Sequence, residues 1–184
     1  MGKMIYYLPG HGGRLDTGLG KGLLDRGYDI AGRMTRDEFK ELTFTEQVDV
    51  VADDLTKHFW TSESQVIANS FGAYLFLHAQ SKMEPYIGRV LLLSPIVGEF
   101  EDSVKMMNFI PPKSGLLTKL ALDGKYPSAL TCEAHVGGED WQSNPRAVSK
   151  LGQLLKFSVT VVPGVGHNLG VSYVSSVIDR WLLP

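Results

Sequence analysis

The chain has 184 residues, 43% of them hydrophobic and 21% charged, which is ordinary for one globular domain with a sizeable core. A formal net charge of −2 sets 18 basic against 20 acidic residues, and no cluster of five or so basic side chains marks a nucleic-acid surface. A single cysteine, Cys132, excludes an internal disulfide framework and a Cys-based zinc site, and no apolar run has the length of a membrane span.

Met1-Gly2-Lys3-Met4 leads directly into a short apolar run, without the long apolar region and cleavage site of a secretory leader, so a cytoplasmic location is expected. Met4 to Leu8 reads as a buried strand ended by Pro9-Gly10. Gly10-His11-Gly12-Gly13-Arg14 is then a loop whose glycines allow a ligand or another backbone to come close. Leu15 occupies the glycine position that a dinucleotide fingerprint or a P-loop would need, so both phosphate-binding readings fail. Arg14 reads as a solvated side chain near the mouth of this loop.

Thr17 to Arg26 reads as a helix closed by Gly27, and Tyr28 to Arg33 as a second short strand. Thr45 to Phe59 repeats Val48, Val51, Ala52, Leu55 and Phe59 at helical spacing, with Thr45 as its expected N-cap and with His58, near its end, facing solvent or capping. Gln65 to Asn69 is a β-branched apolar run, Ser70 interrupts it, and Phe71 to Gln80 continues as a helix that carries His78 as a structural residue.

Arg89 to Leu93 is another continuous apolar strand, ended by Ser94-Pro95. Residues 96–127 are irregular apart from a short helical pattern at 116–122. Their Met and Phe side chains read equally as cover for an apolar pocket or as ordinary core beneath a loop. Strand character resumes at Ala129 to Val136, within which Cys132 reads as an inert buried thiol and His135 as a satisfied core histidine. A helix near Pro145 to Leu155, a last strand Phe157 to Val162, and a helix from about Val171 to Leu183 complete the chain.

Strands and helices alternate throughout, and several strands are apolar without alternation, as strands covered on both faces are. The pattern predicts an α/β fold: a three-layer αβα sandwich with a mostly parallel, six-stranded sheet in one domain over residues 1–184.

Ligands sit at the carboxyl ends of the strands in such sheets. Four strand-end loops carry reactive types: 10–14, 69–72, 137–141 and 163–168. Ser70 lies on a strand-to-helix turn with Ala68 and Gly72 two residues to either side, small enough for strand and helix to approach. A serine needs a base to take its proton, and the base needs a carboxylate to fix its tautomer. His167, in Gly164-Val165-Gly166-His167, follows the last strand. Asp140, in Gly137-Gly138-Glu139-Asp140, follows the one before it, with Glu139 as a neighbouring competitor. The order Ser70, Asp140, His167 is that of a strand-end catalytic triad.

With Leu8-Pro9-Gly10-His11-Gly12-Gly13, Ala68-Asn69-Ser70-Phe71-Gly72, Gly137-Gly138-Glu139-Asp140 and Gly164-Val165-Gly166-His167, the chain resembles the α/β-hydrolase superfamily from Tyr6 to Trp181. Its short length, and its start on a strand without two leading antiparallel ones, resemble the small serine hydrolases of YdeN-like and retinoblastoma-binding-protein-like type. The resemblance implies a fold without a large cap domain, with 96–127 as a short cap segment at most. It also implies an oxyanion hole built from the backbone N–H groups of Phe71 and His11, where Pro9 stands in place of a histidine frequent in relatives. The implied activity is hydrolysis of a carboxylic ester or thioester of a small molecule through an acyl-enzyme on Ser70, with no metal or cofactor, no nucleic acid and no membrane. The same triad serves peptidases, amidases and lactonases, and the same fold can act as a non-catalytic binding or scaffold protein.

Overall fold

The computed structural model describes residues 4–102, 104 and 106–183. The opening Met1 to Lys3, read above as leading into the first strand, lies outside the described residues, as do positions 103 and 105 of the irregular segment.

Six strands form one parallel sheet: β1 (Met4–Leu8), β2 (Asp29–Gly32), β3 (Gln65–Asn69), β4 (Arg89–Leu93), β7 (Thr131–Gly137) and β8 (Ser158–Val162). Their spatial order is β2-β1-β3-β4-β7-β8, with every pair parallel. Successive side chains of each strand face opposite layers, so two cores form. On one face Tyr6, Leu8, Val66, Ala68, Val90 and Leu92 pack beneath α3 (Phe44–His58), α4 (Phe71–Gln80), α5 (Leu116–Leu122) and α6 (Pro145–Leu155). On the other, Ile5, Tyr7, Ile67, Leu91 and Leu93 pack beneath α1 (Gly18–Leu24) and α7 (Val171–Trp181). This is the three-layer αβα arrangement that the uninterrupted apolar strands require. No helix among the described residues is long and apolar enough to cross a membrane.

The chain leaves β1 toward β2 and then returns to place β3 on the other side of β1. The strand order therefore reverses between β1 and β3, which opens a crevice where the loops after these two strands diverge. Ser70 follows β3 and the Gly10 loop follows β1, so both border that crevice.

Local corrections to the sequence reading have plain causes. α3 starts at Phe44 with Thr43 as its N-cap, not Thr45. Thr43 Oγ1 accepts from the Glu46 amide at 3.3 Å, while Glu46 Oε2 accepts from the Thr43 amide at 2.7 Å. This reciprocal capping box satisfies two donors that a start at Thr45 would leave open. A one-turn helix, α2 (Asp37–Glu41), fills the stretch before it. Within 96–127 the chain makes an antiparallel pair, β5 (Phe100–Asp102) and β6 (Met107–Phe109), and then the expected α5. The pair packs by rings: Phe100 stacks on Phe109 at 5.0 Å, and both lie against Trp141 at 5.8 and 6.3 Å. It thus rests on the loop after β7, which carries Asp140.

Candidate active site

Ser70 stands between β3 and α4 with φ 52° and ψ −116°, a region few non-glycine residues occupy. Such a conformation costs on the order of 1–3 kcal/mol and persists only where its surroundings hold it. Here the Ser70 amide donates to the Leu93 carbonyl at 2.9 Å, and the Ser70 carbonyl accepts from Tyr74 at 3.2 Å and Ile96 at 3.3 Å. Gly72 makes the turn sterically possible. A Cβ there would lie 2.2 Å from the Leu8 carbonyl oxygen and 2.5 Å from that of Pro9.

The result is a hydroxyl aimed at His167. Ser70 Oγ lies 2.8 Å from His167 Nε2, and His167 Nδ1 lies 3.0 and 2.9 Å from the two carboxylate oxygens of Asp140. The acceptor-only carboxylate fixes the proton on Nδ1, which leaves Nε2 as an acceptor for the serine proton. Asp140 is buried, and burial alone would push its carboxyl up. The hydrogen bond from His167 and that from the Ser143 amide outweigh it, so the carboxyl sits below its ordinary range and stays ionised. Asp140 Oδ1 also accepts from the amides of Gln142 at 3.0 Å and Ser143 at 2.9 Å.

The structure separates Asp140 from its neighbour. The Glu139 side chain is exposed, while its amide donates to Val165 O at 2.9 Å and so joins the two loops that carry Asp140 and His167. Gly137 lets those loops touch, since a Cβ there would lie 2.1 Å from the Gly166 carbonyl oxygen.

Three supporting residues carry no sequence pattern that marks them. Ser94 Oγ donates to the His167 carbonyl at 2.7 Å. Ser143 Oγ donates to the Ser94 carbonyl at 2.7 Å and faces His167 Nδ1 at 3.3 Å. Buried Thr35 organises the Gly10 loop: its hydroxyl donates to the Gly10 carbonyl and accepts from the Gly13 amide, and its carbonyl accepts from the Gly12 amide. The only sequence signal for Ser94 is its place at the end of a strand beside Ser70's.

The Gly10 loop passes over the serine, for a Cβ at Gly10 would lie 3.3 Å from Ser70 Cβ. Between the pinned positions, the His11 amide donates to no acceptor among the described residues, and neither does the Phe71 amide at the first turn of α4. The exposed His11 ring meets the Phe71 ring edge-on at 6.0 Å. From there Phe71, Phe44, Tyr74 and His78 continue as one aromatic cluster.

The other singled-out residues lie apart from this constellation. Arg14 pairs with Asp16 at 2.8 Å, and His58 is exposed. Buried His135 bonds through Nδ1 to the Tyr173 hydroxyl at 2.8 Å and through Nε2 to Glu133 at 3.1 Å. Burial, with Glu133 nearby, pushes the free Cys132 thiol far up, consistent with an unreactive group. No group of three or more His, Cys, Asp or Glu among the described residues could hold a metal ion.

No protein-family model matches the chain, and no curated protein matches it in sequence. Solved structures do match. The ydeN gene product of B. subtilis superposes with a TM-score of 0.66 at 13% identity, covering 97% of this chain and 98% of that one. A lipase-esterase related protein from Clostridium acetobutylicum ATCC 824 gives 0.69 at 13% identity, covering 98% and 94%. The chain adopts the α/β-hydrolase fold. A carboxylesterase of Nitrososphaera gargenis with this fold gives 0.66 at 11% identity, covering 98% of this chain and 90% of its own. An uncharacterized protein from Bacillus cereus ATCC 10987 also gives 0.66 at 13% identity, but the chain spans only 59% of its length. In this fold Ser70, Asp140 and His167 fall at the ends of β3, β7 and β8, where the sequence order places them.

Proposed function

We propose that the protein is a cytoplasmic serine hydrolase that cleaves a carboxylic ester or thioester of a small molecule. The observation that carries this reading is the unbroken relay Ser70 Oγ, His167 Nε2, His167 Nδ1, Asp140, with both outer contacts at hydrogen-bond length. Structures of like fold include a carboxylesterase and a lipase-esterase related protein, which supports it.

In this mechanism Ser70 attacks the acyl carbon as its proton passes to His167 Nε2. The carbonyl oxygen becomes an oxyanion beside the first turn of α4, whose amides and dipole favour negative charge. The free Phe71 and His11 amides are its donors, each worth roughly 3 kcal/mol on the transition state. Asp140 stabilises the imidazolium. His167 then protonates the leaving group, and an incoming water repeats the sequence to release the acid and restore Ser70.

A fluorophosphonate probe tests the reading. The wild type is expected to be labelled stoichiometrically at Ser70 and Ser70→Ala to remain unlabelled. An unlabelled wild type, or equal labelling of the variant, refutes it.

A further inference from the structure

Between α1, α7 and the carboxyl ends of β3 and β4 lies a cavity of about 430 Å³ to which the mechanism above gives no role. Its size suits a small-molecule group. Leu19, Leu93, Leu169, Val174 and Ile178 line it with apolar surface. The space is left open by glycine: Gly18, Gly22 and Gly170 border it, and a Cβ at Gly18 or Gly170 would meet nothing within 4 Å.

Its polar groups decide what it can take. Among the described residues Arg26 is the one charged side chain in the wall, and it is already committed. It donates to Asp179 at 2.7 Å, to the Gly22 carbonyl at 2.8 Å and to the Ser175 hydroxyl. An anionic ligand would have to displace these partners, so the cavity suits an uncharged, mainly apolar group. Asn69, Ser94 and His167 border it as well, which sets it beside His167, whereas Ser70 itself does not border it.

That placement selects one half of an ester. In acylation Ser70 Oγ bonds to the acyl carbon, the bond from that carbon to the alkoxy oxygen breaks, and the proton taken from Ser70 passes from His167 Nε2 to the departing oxygen. The departing oxygen must therefore lie within reach of His167, and whatever it carries continues on the His167 side. We infer that this cavity holds the alcohol portion of the substrate, an uncharged apolar chain or ring of medium size. The inference rests on the serine hydrolase reading and adds to it the half of the substrate that is selected.

Two measurements on the full chain test it. Titration with hexan-1-ol, followed by ¹H–¹⁵N NMR, is expected to give saturable amide shifts concentrated in residues 18–24 and 169–178. Shifts centred instead on 100–109 and Trp141, or none that saturate, overturn it. Acetate esters of methanol, butanol and hexanol should rise in kcat/KM by about tenfold or more across the series. Val174→Trp and Leu19→Trp, each confirmed as folded by its melting transition, should lower the hexyl-to-methyl ratio at least fivefold. A reactive Ser70 with no dependence on the alkoxy chain refutes this inference alone. A Ser70 inert to fluorophosphonate, with no ester turned over, refutes the hydrolase reading and the leaving-group role with it, while the hexanol shifts separately report whether the cavity binds.

Discussion

The Ser94 hydroxyl donates to the main-chain carbonyl of His167 across 2.7 Å, tying the end of β4 to the loop after β8, two strands away in the sheet. His167 is thereby held at its backbone by Ser94 and at its ring by Asp140. Ser94 has φ 42° and its amide donates to His135 O at 2.8 Å, so the tether is itself anchored. Ser94→Ala should free the backbone while leaving the ring bond intact. Misplacing a reacting group by a fraction of an ångström to 1 Å costs roughly 10- to 100-fold. We expect kcat for a p-nitrophenyl ester to fall by that factor with KM little changed. A kcat equal to the parent's would show that Asp140 alone positions the ring.

Asp140 and Glu139 are adjacent in sequence and opposite in environment, one buried against His167 and the other exposed. Asp140→Asn keeps a carbonyl for the Gln142 and Ser143 amides but sets an amide nitrogen toward His167 Nδ1. That favours the tautomer with its proton on Nε2, where the serine proton has to go. A loss of roughly 10⁴-fold in kcat is expected. Glu139→Gln changes neither contact and should hydrolyse esters near the parent rate. The two variants measured side by side decide the acid; a larger loss at Glu139 would reverse the assignment.

The parts of this molecule that can be read from sequence are those whose signal is local. β3 and β4 are continuous apolar runs because helices cover both faces of the sheet, and such runs are visible without tertiary knowledge. Ser70 follows β3, Asp140 follows β7 and His167 follows β8, so parallel topology alone brings them to one edge. Thr35, Ser94 and Ser143 act through backbone carbonyls and amides far away in sequence, and no spacing announces that. β5 and β6 are three residues each and exist because Phe100 and Phe109 stack against Trp141, a contact no periodicity encodes. The start of α3 is legible in the sequence, since Thr43-x-x-Glu46 is a capping box, whereas the apolar repeat alone points to Thr45.

Gly72 and the β1 backbone are in contact that admits no side chain. In Gly72→Ala the new methyl would sit 2.2 Å from Leu8 O, and the neighbours are sheet backbone that cannot rotate away. Overpacking of this kind costs about 3 kcal/mol. For a chain of this length that corresponds to a fall in Tm of roughly 6–12 °C, read by calorimetry. Because the displaced element carries the Gly10 loop over Ser70, ester hydrolysis should fall even at temperatures where the variant stays folded. An unchanged Tm would mean that the turn can open without cost.

His78 gives the fold a defined sensitivity to acid. Its ring is buried among Phe44 and Tyr74, and Nε2 has no hydrogen-bond partner among the described residues. Burial, and secondly the charge of Lys113, lower its pKa to about 4. The charged form is thus disfavoured in the folded state, while the unfolded chain takes up the proton near its ordinary value of about 6.5. Stability from this residue is complete above that value and is lost as pH falls through the interval toward 4. The loss is about 3 kcal/mol over the whole interval, at 1.36 kcal/mol for each pH unit. Asp140, whose carboxyl is held below its ordinary range, gives stability that is lost only at lower pH, so the two effects fall in separate windows. His78→Phe keeps an aromatic ring in the cluster and removes the titration. Urea unfolding at pH 7 and at pH 4.5 should show the parent losing more stability than the variant between the two. Equal losses would place the acid sensitivity elsewhere in the fold.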